Sequence, residues 1–98
     1  MKFEIDLAWI ARGKADPAEW IEQFSGRIVA FHFKDLATSG ENLDEDGWAD
    51  PGMGILPWKD LWTKAFEAGA KFAVAEHDNP SDFLRFAGNA ASAAKALA

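Results

Sequence analysis

Apolar and polar positions divide the chain into three stretches with the pattern of β-strands, each followed by a stretch with helical spacing. The predicted strands cover about residues 3–9, 27–33 and 71–76. The predicted helices cover about residues 17–25, 57–68 and 80–97. The second strand is almost continuously apolar, which is typical of a strand covered on both faces. Strands that alternate with helices of this length predict right-handed β-α-β crossovers, and therefore an α/β fold with a parallel sheet.

Local signals indicate where two of these helices begin. Asp16 stands before Pro17, and Glu19 follows three positions after Asp16. An aspartate before a proline suits a helix N-cap, so the first helix is predicted to start here. Asn79 and Pro80 are the corresponding predicted start of the last helix.

A long polar segment from about Leu36 to Leu56 separates the second strand from the second helix. Loops of this length are unusual in compact domains and are often functional. The segment contains five acidic residues without the regular spacing of a calcium loop, which favours a solvated flap. They are Glu41, Asp44, Glu45, Asp46 and Asp50. Its Gly52-Met53-Gly54 sequence can bring backbone amides close to an anion, although paired glycines usually only permit turns.

Composition narrows the classes of function. The 98 residues suffice for a single domain, residues 1–98. A net charge of −6 argues against a nucleic acid or an anionic membrane as partner. The absence of cysteine excludes disulfides and thiolate metal sites. The sequence has no apolar run long enough to span a membrane and no signal-peptide core, so a cytoplasmic location is expected.

Ionisable residues collect where the three predicted strands end. Asp6 lies toward the end of the first strand, His32 near the end of the second, and Glu76 at the end of the third. In parallel α/β folds, ligands bind outside the carboxyl ends of the strands. We therefore expect these residues to form a divalent-metal site. Their oxygen and nitrogen donors suit Mn, Mg or Co, with Zn less favoured because thiolates are absent.

Each of these residues also has an ordinary structural role open to it. Asp6 could cap the segment that follows the first strand, and His32 could be a core histidine bonded to backbone. Glu76 could form an ion pair with Lys34 or Lys71. For a single residue these roles are the commoner ones, but the shared position at one sheet edge favours a metal site.

Four segments of the chain resemble, in the same order, the sugar phosphate isomerase/epimerase family of xylose isomerase-like (β/α)8 TIM barrels. They are Ile5-Asp6-Leu7-Ala8-Trp9, Arg27 to Asp35, Pro51 to Trp58, and Ala75 to Pro80. The resemblance spans essentially the whole chain. Its most specific part is His-x-Lys-Asp, from His32 to Asp35, together with Gly-x-Gly and the tryptophan that follows it.

The resemblance implies a metal-dependent isomerase or epimerase that acts on a sugar or sugar phosphate. In the family, one divalent metal is bound by a Glu, an Asp, a His and a second Glu, and Asp6, His32 and Glu76 match the last three. Glu76 is then also expected to exchange a proton with the substrate. Lys34 and Asp35 match the motif after the histidine and are expected to contact substrate.

The resemblance also implies an incomplete ligand set, because the first glutamate would come from a strand before Phe3. The chain would then be the C-terminal portion, about the last three-eighths, of a fold of about 250 residues. A partial sheet leaves edges unpaired, which predicts a homo-oligomer or a second chain that completes the barrel.

Two other functions stay open from the sequence. One is a non-catalytic truncated or half-barrel protein that folds by self-association and keeps a vestigial metal site. The other is a small doubly wound binding module. The loop from Ala11 to Lys14 poorly matches the glycine-rich phosphate turn that such a module requires.

Overall fold

Three parallel strands form the centre of the structure, a computed structural model that describes residues 1–98. The strands in chain order are β1 (Phe3–Asp6), β2 (Ile28–Phe33), β3 (Asp35–Leu36), β4 (Trp48–Ala49) and β5 (Phe72–Ala75). The helices are α1 (Leu7–Arg12), α2 (Pro17–Gln23), α3 (Trp58–Glu67) and α4 (Phe83–Leu97). The central sheet has the order β1-β2-β5, and both pairings are parallel. The predicted α/β class with three consecutive strand–helix units is confirmed.

The first strand is shorter than predicted, because the chain becomes helical directly after Asp6. The Asp6 side chain accepts a hydrogen bond from the backbone N–H of Trp9 at 2.9 Å and so caps α1. Leu7 and Ala8 are fully buried in this helix. The prediction of strand for residues 7–9 is therefore wrong, and the capping role considered for Asp6 is confirmed.

The predicted start of α2 is confirmed, and that of α4 is wrong. Asp16 accepts a hydrogen bond from the backbone N–H of Ala18 at 2.9 Å and caps α2. The residue that caps α4 is Asp82, whose carboxylate accepts from the backbone N–H of Arg85 at 3.0 Å. Asn79 instead lies in the turn before it, where its side chain donates to the Asp44 carbonyl at 3.3 Å.

The long polar segment is folded back on itself. β3 and β4 pair antiparallel, with Asp35 opposite Ala49 and Leu36 opposite Trp48. A short 3-10 helix, Leu43–Glu45, lies between the two strands. This arrangement brings Trp48 into the core, where it is buried.

The two faces of the central sheet differ in character. Phe31 and Phe33 of β2 pack against Trp58 and Trp62 of α3, with ring centroids 4.8 to 5.8 Å apart. Side chains alternate between faces along a strand, so His32 lies on the opposite face. Packing of Phe31 and Phe33 against α3 therefore directs the His32 side chain away from α3.

The opposite face carries the polar residues of β1 and β2, whereas β5 contributes apolar residues to it. Asp6 of β1, His32 of β2 and Val74 of β5 form one cross-strand row, and Glu4, Ala30 and Phe72 form the row before it; these assignments follow from the pairing of the three strands. β1 and β5 each pair with β2 alone, so both are edge strands. Phe72 on β5 is 66% exposed.

None of the four helices combines the length and apolar character needed to cross a membrane.

Candidate metal site at the strand ends

The three predicted metal ligands meet at the carboxyl edge of the sheet. Asp6 is the last residue of β1 and lies in register with His32 of β2. Glu76 follows β5, and its backbone N–H continues the ladder by donating to the Phe33 carbonyl at 3.1 Å. One potential donor atom from each of the three side chains lies within 4.8 Å of the other two. We call Asp6, His32 and Glu76 the ligand cluster.

His32 lies at the centre of the ligand cluster, between carboxylates on both sides of its ring. Its Nδ1 is 3.1 Å from Asp6 Oδ2 and 2.7 Å from Glu76 Oε1, and its Nε2 is 2.6 Å from Glu4 Oε1. Burial alone would lower the pKa of His32. The hydrogen bonds with Glu4 and Asp6 and the negative charge of Glu76 outweigh that effect and raise the pKa above its ordinary value.

Lys34 supplies a buried positive charge beside the ligand cluster. Its side chain is 1% exposed, and Nζ lies 2.7 Å from Asp6, 3.1 Å from Asp78 and 3.5 Å from Glu76. Burial acts to lower its pKa, but the hydrogen bonds and charges of Asp6 and Asp78 raise it overall. The ion pair between Glu76 and Lys34 that was considered as an alternative is therefore present. It coexists with the ligand cluster.

The donor set fits a divalent cation. Two carboxylate oxygens and one imidazole nitrogen are ligands that Mn²⁺, Mg²⁺ and Co²⁺ accept. The neutral His32 tautomer with its proton on Nε2 would donate to Glu4 and turn the Nδ1 lone pair toward Asp6 and Glu76. A carboxylate partner on the second ring nitrogen is characteristic of metal-ligating histidines. Asp6, His32 and Glu76 could thus hold a metal and leave positions for further oxygen ligands.

Asp35, a predicted substrate contact, has a different environment. It is fully buried, and its Oδ1 accepts from the backbone N–H groups of Leu36 at 2.9 Å and Leu56 at 3.1 Å. Its Oδ2 accepts from the N–H groups of Gly52 at 3.1 Å and Gly54 at 3.0 Å. Burial raises the pKa of Asp35, and the four hydrogen bonds oppose that rise. A contact with substrate does not fit this geometry, because both oxygens are already used.

The Gly52-Met53-Gly54 turn therefore does present amides to an anion, and the anion is the chain's own Asp35 carboxylate. A Cβ atom at Gly54 would collide with the Leu36 carbonyl oxygen and with Asp35. The close approach of the two segments thus requires glycine at this position. The anion that this turn binds is therefore intramolecular, and the contact fixes the loop onto the end of β2.

Sequence reasoning missed Glu4, Trp9 and Asp78 as neighbours of the site. The Trp9 indole N–H donates to Asp78 Oδ2 at 3.1 Å, on the same oxygen that Lys34 contacts. Glu4 stands two residues before Asp6 in β1, and side chains two apart on a strand share a face. That period-two spacing was the available signal for Glu4. The contact between Trp9 and Asp78 spans 69 positions and has no local signal.

A second cluster lies where α4 meets the long polar segment. Arg85 donates to Glu45 at 2.7 Å and to Asp50 at 2.8 Å, and Asn89 donates to Asp50 at 2.8 Å. Both carboxylates are buried, each in a residue that is 6% exposed. The prediction of a solvated flap is therefore wrong for Glu45 and Asp50. These two residues attach the segment to α4.

Glu45 makes the fold sensitive to acid. Hydrogen bonds from the Ser81 backbone and from Arg85 lower the pKa of Glu45 from 4.5 to about 2. A carboxylate with a lowered pKa stabilises the fold above its unfolded pKa and loses that contribution as the pH falls through its folded pKa. We therefore expect the free energy of unfolding to decrease as the pH is lowered from about 4.5 to about 2. Urea titrations at a series of pH values measure this slope.

The matched variant for this prediction is Glu45→Gln, which keeps the shape of the side chain but cannot titrate. Its free energy of unfolding should be lower at neutral pH and should fall less steeply in the acid range. An acid slope equal to that of the wild type would contradict the assignment to Glu45.

Comparison with known proteins places this geometry in context. A solved sugar phosphate isomerase/epimerase from Parabacteroides distasonis ATCC 8503 is similar with a TM-score of 0.66 and 28% identity, over 99% of this chain and 30% of that one. A second such structure from the same organism has a TM-score of 0.65 and 26% identity, over 93% of this chain and 29% of that one. No protein-family model matches the chain, and no curated protein matches it significantly.

The comparison supports the fold. The chain spans about 30% of the length of these solved neighbours. Its three strand–helix units match part of a sugar phosphate isomerase/epimerase chain, in agreement with the predicted partial (β/α)8 arrangement.

Proposed function

We propose that this chain contributes to metal-assisted isomerisation or epimerisation of a sugar or sugar phosphate, with Asp6, His32 and Glu76 as ligands of a divalent metal. The observation that carries the proposal is the ligand cluster, whose donor atoms lie within 4.8 Å of one another. It lies at the sheet edge where parallel α/β proteins bind small molecules. The likeness to solved sugar phosphate isomerase/epimerases supports the same kind of reaction.

The side chains at this edge of the sheet have different proposed roles in a proton transfer. A divalent cation held here would polarise a sugar carbonyl or hydroxyl oxygen. Glu76, whose side chain is 36% exposed, is the group available to take a proton from the carbon next to that carbonyl. As that C–H bond breaks, its electron pair forms a C=C bond and the carbonyl electron pair moves onto oxygen. For isomerisation, Glu76 returns the proton to the former carbonyl carbon, and the proton of the neighbouring hydroxyl moves to the former carbonyl oxygen as the new carbonyl forms. The predicted substrate contact of Lys34 does not fit its geometry, because the side chain is 1% exposed and its amine is paired with Asp6, Asp78 and Glu76; its proposed role is to hold these carboxylates in position.

Proton exchange with solvent tests this proposal directly. We expect the protein with Mn²⁺ to incorporate deuterium from D2O into a ketose, an aldose or one of their phosphates, at the carbon beside the carbonyl. Chelation of the metal should abolish the incorporation. The double variant Asp6→Ala, Glu76→Ala should lower it by at least about 100-fold, since it removes two ligands and the proton acceptor. Mass spectrometry of the recovered sugar provides the measurement.

The matched control is Glu41→Gln, which removes one negative charge from an exposed loop position. It should leave deuterium incorporation unchanged. Incorporation by the double variant at the wild-type rate would contradict the roles of Asp6 and Glu76.

The edges of the sheet support a proposal about assembly. β1 and β5 each have one unpaired edge, and Phe72 and Val74 of β5 expose apolar surface on the open face. We expect the chain to self-associate, or to bind a second chain that completes the barrel. Size-exclusion chromatography with light scattering should show species larger than 10.7 kDa at micromolar concentration. A stable, well-folded monomer would contradict self-association.

A second candidate function is a non-catalytic half-barrel that keeps a metal site. The observation that favours it is that Glu76, the group proposed to take the proton, already lies 2.7 Å from His32 and 3.5 Å from Lys34. Calorimetric titration with Mn²⁺ separates the two candidates. Metal binding without deuterium incorporation would favour the non-catalytic protein, and metal binding with incorporation would favour the enzyme.

A further inference from the structure

Glu4 is the carboxylate on the far side of the His32 ring from the other two. Its Oε1 lies 2.6 Å from His32 Nε2, whereas Asp6 and Glu76 both lie beside Nδ1. Glu4 and Asp6 are two residues apart on β1 and therefore point to the same face of the sheet. The ring of His32 thus connects two rows of the sheet, with one nitrogen toward each.

The register of β1 and β2 explains how Glu4 reaches the histidine. The cross-strand partner of Glu4 is Ala30, and the partner of Asp6 is His32. Ala30 carries only a methyl group, so the Glu4 side chain can extend across β2 toward the imidazole. The contact is therefore determined by strand pairing and by a small residue at position 30.

We propose that Glu4 is a positioning residue for the candidate metal site. By accepting from Nε2–H it favours the neutral tautomer whose Nδ1 lone pair faces the space shared with Asp6 and Glu76. A neutral imidazole has one donor and one acceptor nitrogen, and Glu4 is the acceptor that remains for the ring proton when Asp6 and Glu76 bind a cation. This inference rests on the proposed function, because it takes a divalent metal as the group that the site binds.

The role differs from that of a fourth metal ligand. A ligand would share the side of the ring on which Nδ1 lies, but the Glu4 carboxylate is hydrogen-bonded to the opposite nitrogen. It also lies in the cross-strand row before that of Asp6 and His32. Glu4 therefore acts on the site through His32.

Two variants separate these roles. Glu4→Leu removes the acceptor, and Glu4→Gln keeps a carbonyl oxygen that can accept from Nε2–H. We expect Glu4→Leu to weaken Mn²⁺ binding by about 10- to 100-fold, the range found when outer-shell partners of metal-ligating histidines are removed. Glu4→Gln should recover most of the affinity. Glu41→Gln, the exposed charge-matched control, should bind Mn²⁺ as the wild type does. Isothermal titration calorimetry measures all four proteins.

The tautomer itself gives a readout that needs no metal. The chain has two histidines, so the ring nitrogens of His32 can be assigned by ¹⁵N NMR with a His77→Gln variant as reference. In metal-free protein at alkaline pH, where the ring is neutral, Asp6 and Glu76 compete with Glu4 for the ring proton, so we expect a measurable Nε2-protonated fraction of His32 in the wild type. In Glu4→Leu the Nδ1-protonated form should increase.

The outcomes distinguish this inference from the proposed function. If no divalent metal binds to the wild type while the tautomer depends on Glu4, the proposed function fails and the positioning of His32 by Glu4 stands. An unchanged tautomer in Glu4→Leu would overturn the positioning role. Equal losses of Mn²⁺ affinity in Glu4→Leu and Glu4→Gln would overturn it as well, because the charge rather than the acceptor would then be required.

Discussion

Replacing Asp35 with alanine is expected to lower the free energy of unfolding by about 3 kcal/mol, because it leaves four backbone N–H groups, one of them buried, without their acceptor. The Asp35 carboxylate accepts four backbone hydrogen bonds, one of them from Leu36 beside it and the others from Gly52, Gly54 and Leu56. The Asp35 side chain is fully buried, so the carboxylate itself is shielded from solvent. Urea unfolding followed by tryptophan fluorescence measures the loss.

The control for this prediction is Asp60→Ala on the outer surface of α3. Asp60 forms an exposed ion pair with Lys64 at 3.0 Å. Exposed pairs of this kind contribute about 0.3–0.5 kcal/mol, so this variant should unfold almost as the wild type does. A loss below about 1 kcal/mol for Asp35→Ala would show that the loop is not held by these hydrogen bonds.

Replacing Lys34 with methionine is expected to change stability and metal affinity in opposite directions. The free energy of unfolding should fall by about 3 kcal/mol, because Asp6, Glu76 and Asp78 lose the buried cation that lies between them. Mn²⁺ should bind at least about tenfold more tightly, since the carboxylate oxygen of Asp6 becomes free and a positive charge is removed. Urea unfolding with and without Mn²⁺, together with calorimetry, measures both effects.

Lys64→Met is the matched control for this pair of measurements, because Lys64 lies on the surface of α3 in an exposed ion pair with Asp60. This variant should change neither the free energy of unfolding nor the Mn²⁺ affinity appreciably. Weaker Mn²⁺ binding by Lys34→Met would contradict the prediction. It would mean that Lys34 holds the ligand cluster in the geometry that binds Mn²⁺, and that this effect exceeds the repulsion between its charge and the metal.

The parallel sheet could be predicted from the sequence, whereas the end of its first strand could not. Continuous apolar character identified β2, and the spacing of polar residues located the strand ends. Residues 7–9 are apolar enough to continue a strand. Their helical conformation depends on the cap that Asp6 provides and on the burial of Leu7 and Ala8, which are properties of the assembled fold.

Some residues of the candidate site could also be predicted from the sequence, and the roles of others could not. Asp6, His32 and Glu76 could be located because strand ends of a parallel sheet meet at one edge, and the structure brings their donor atoms together. The roles of Asp35 and Glu45 could not, because each is decided by partners far along the chain. Glu45 and Arg85, for example, are 40 positions apart. A local count of acidic residues does not distinguish a solvated carboxylate from one that binds a distant arginine.

The position of Lys34 has a consequence for the order of events when the protein is made. With its amine between Asp6 and Asp78, Lys34 offsets part of the negative charge of the carboxylates at the sheet edge from within the chain. Many small metal-binding domains, zinc fingers among them, fold only when metal is supplied. Because Lys34 supplies this charge here, we expect the chain to fold in metal-free solution with the lysine contacts in place, and an ion at the proposed site to displace them afterwards.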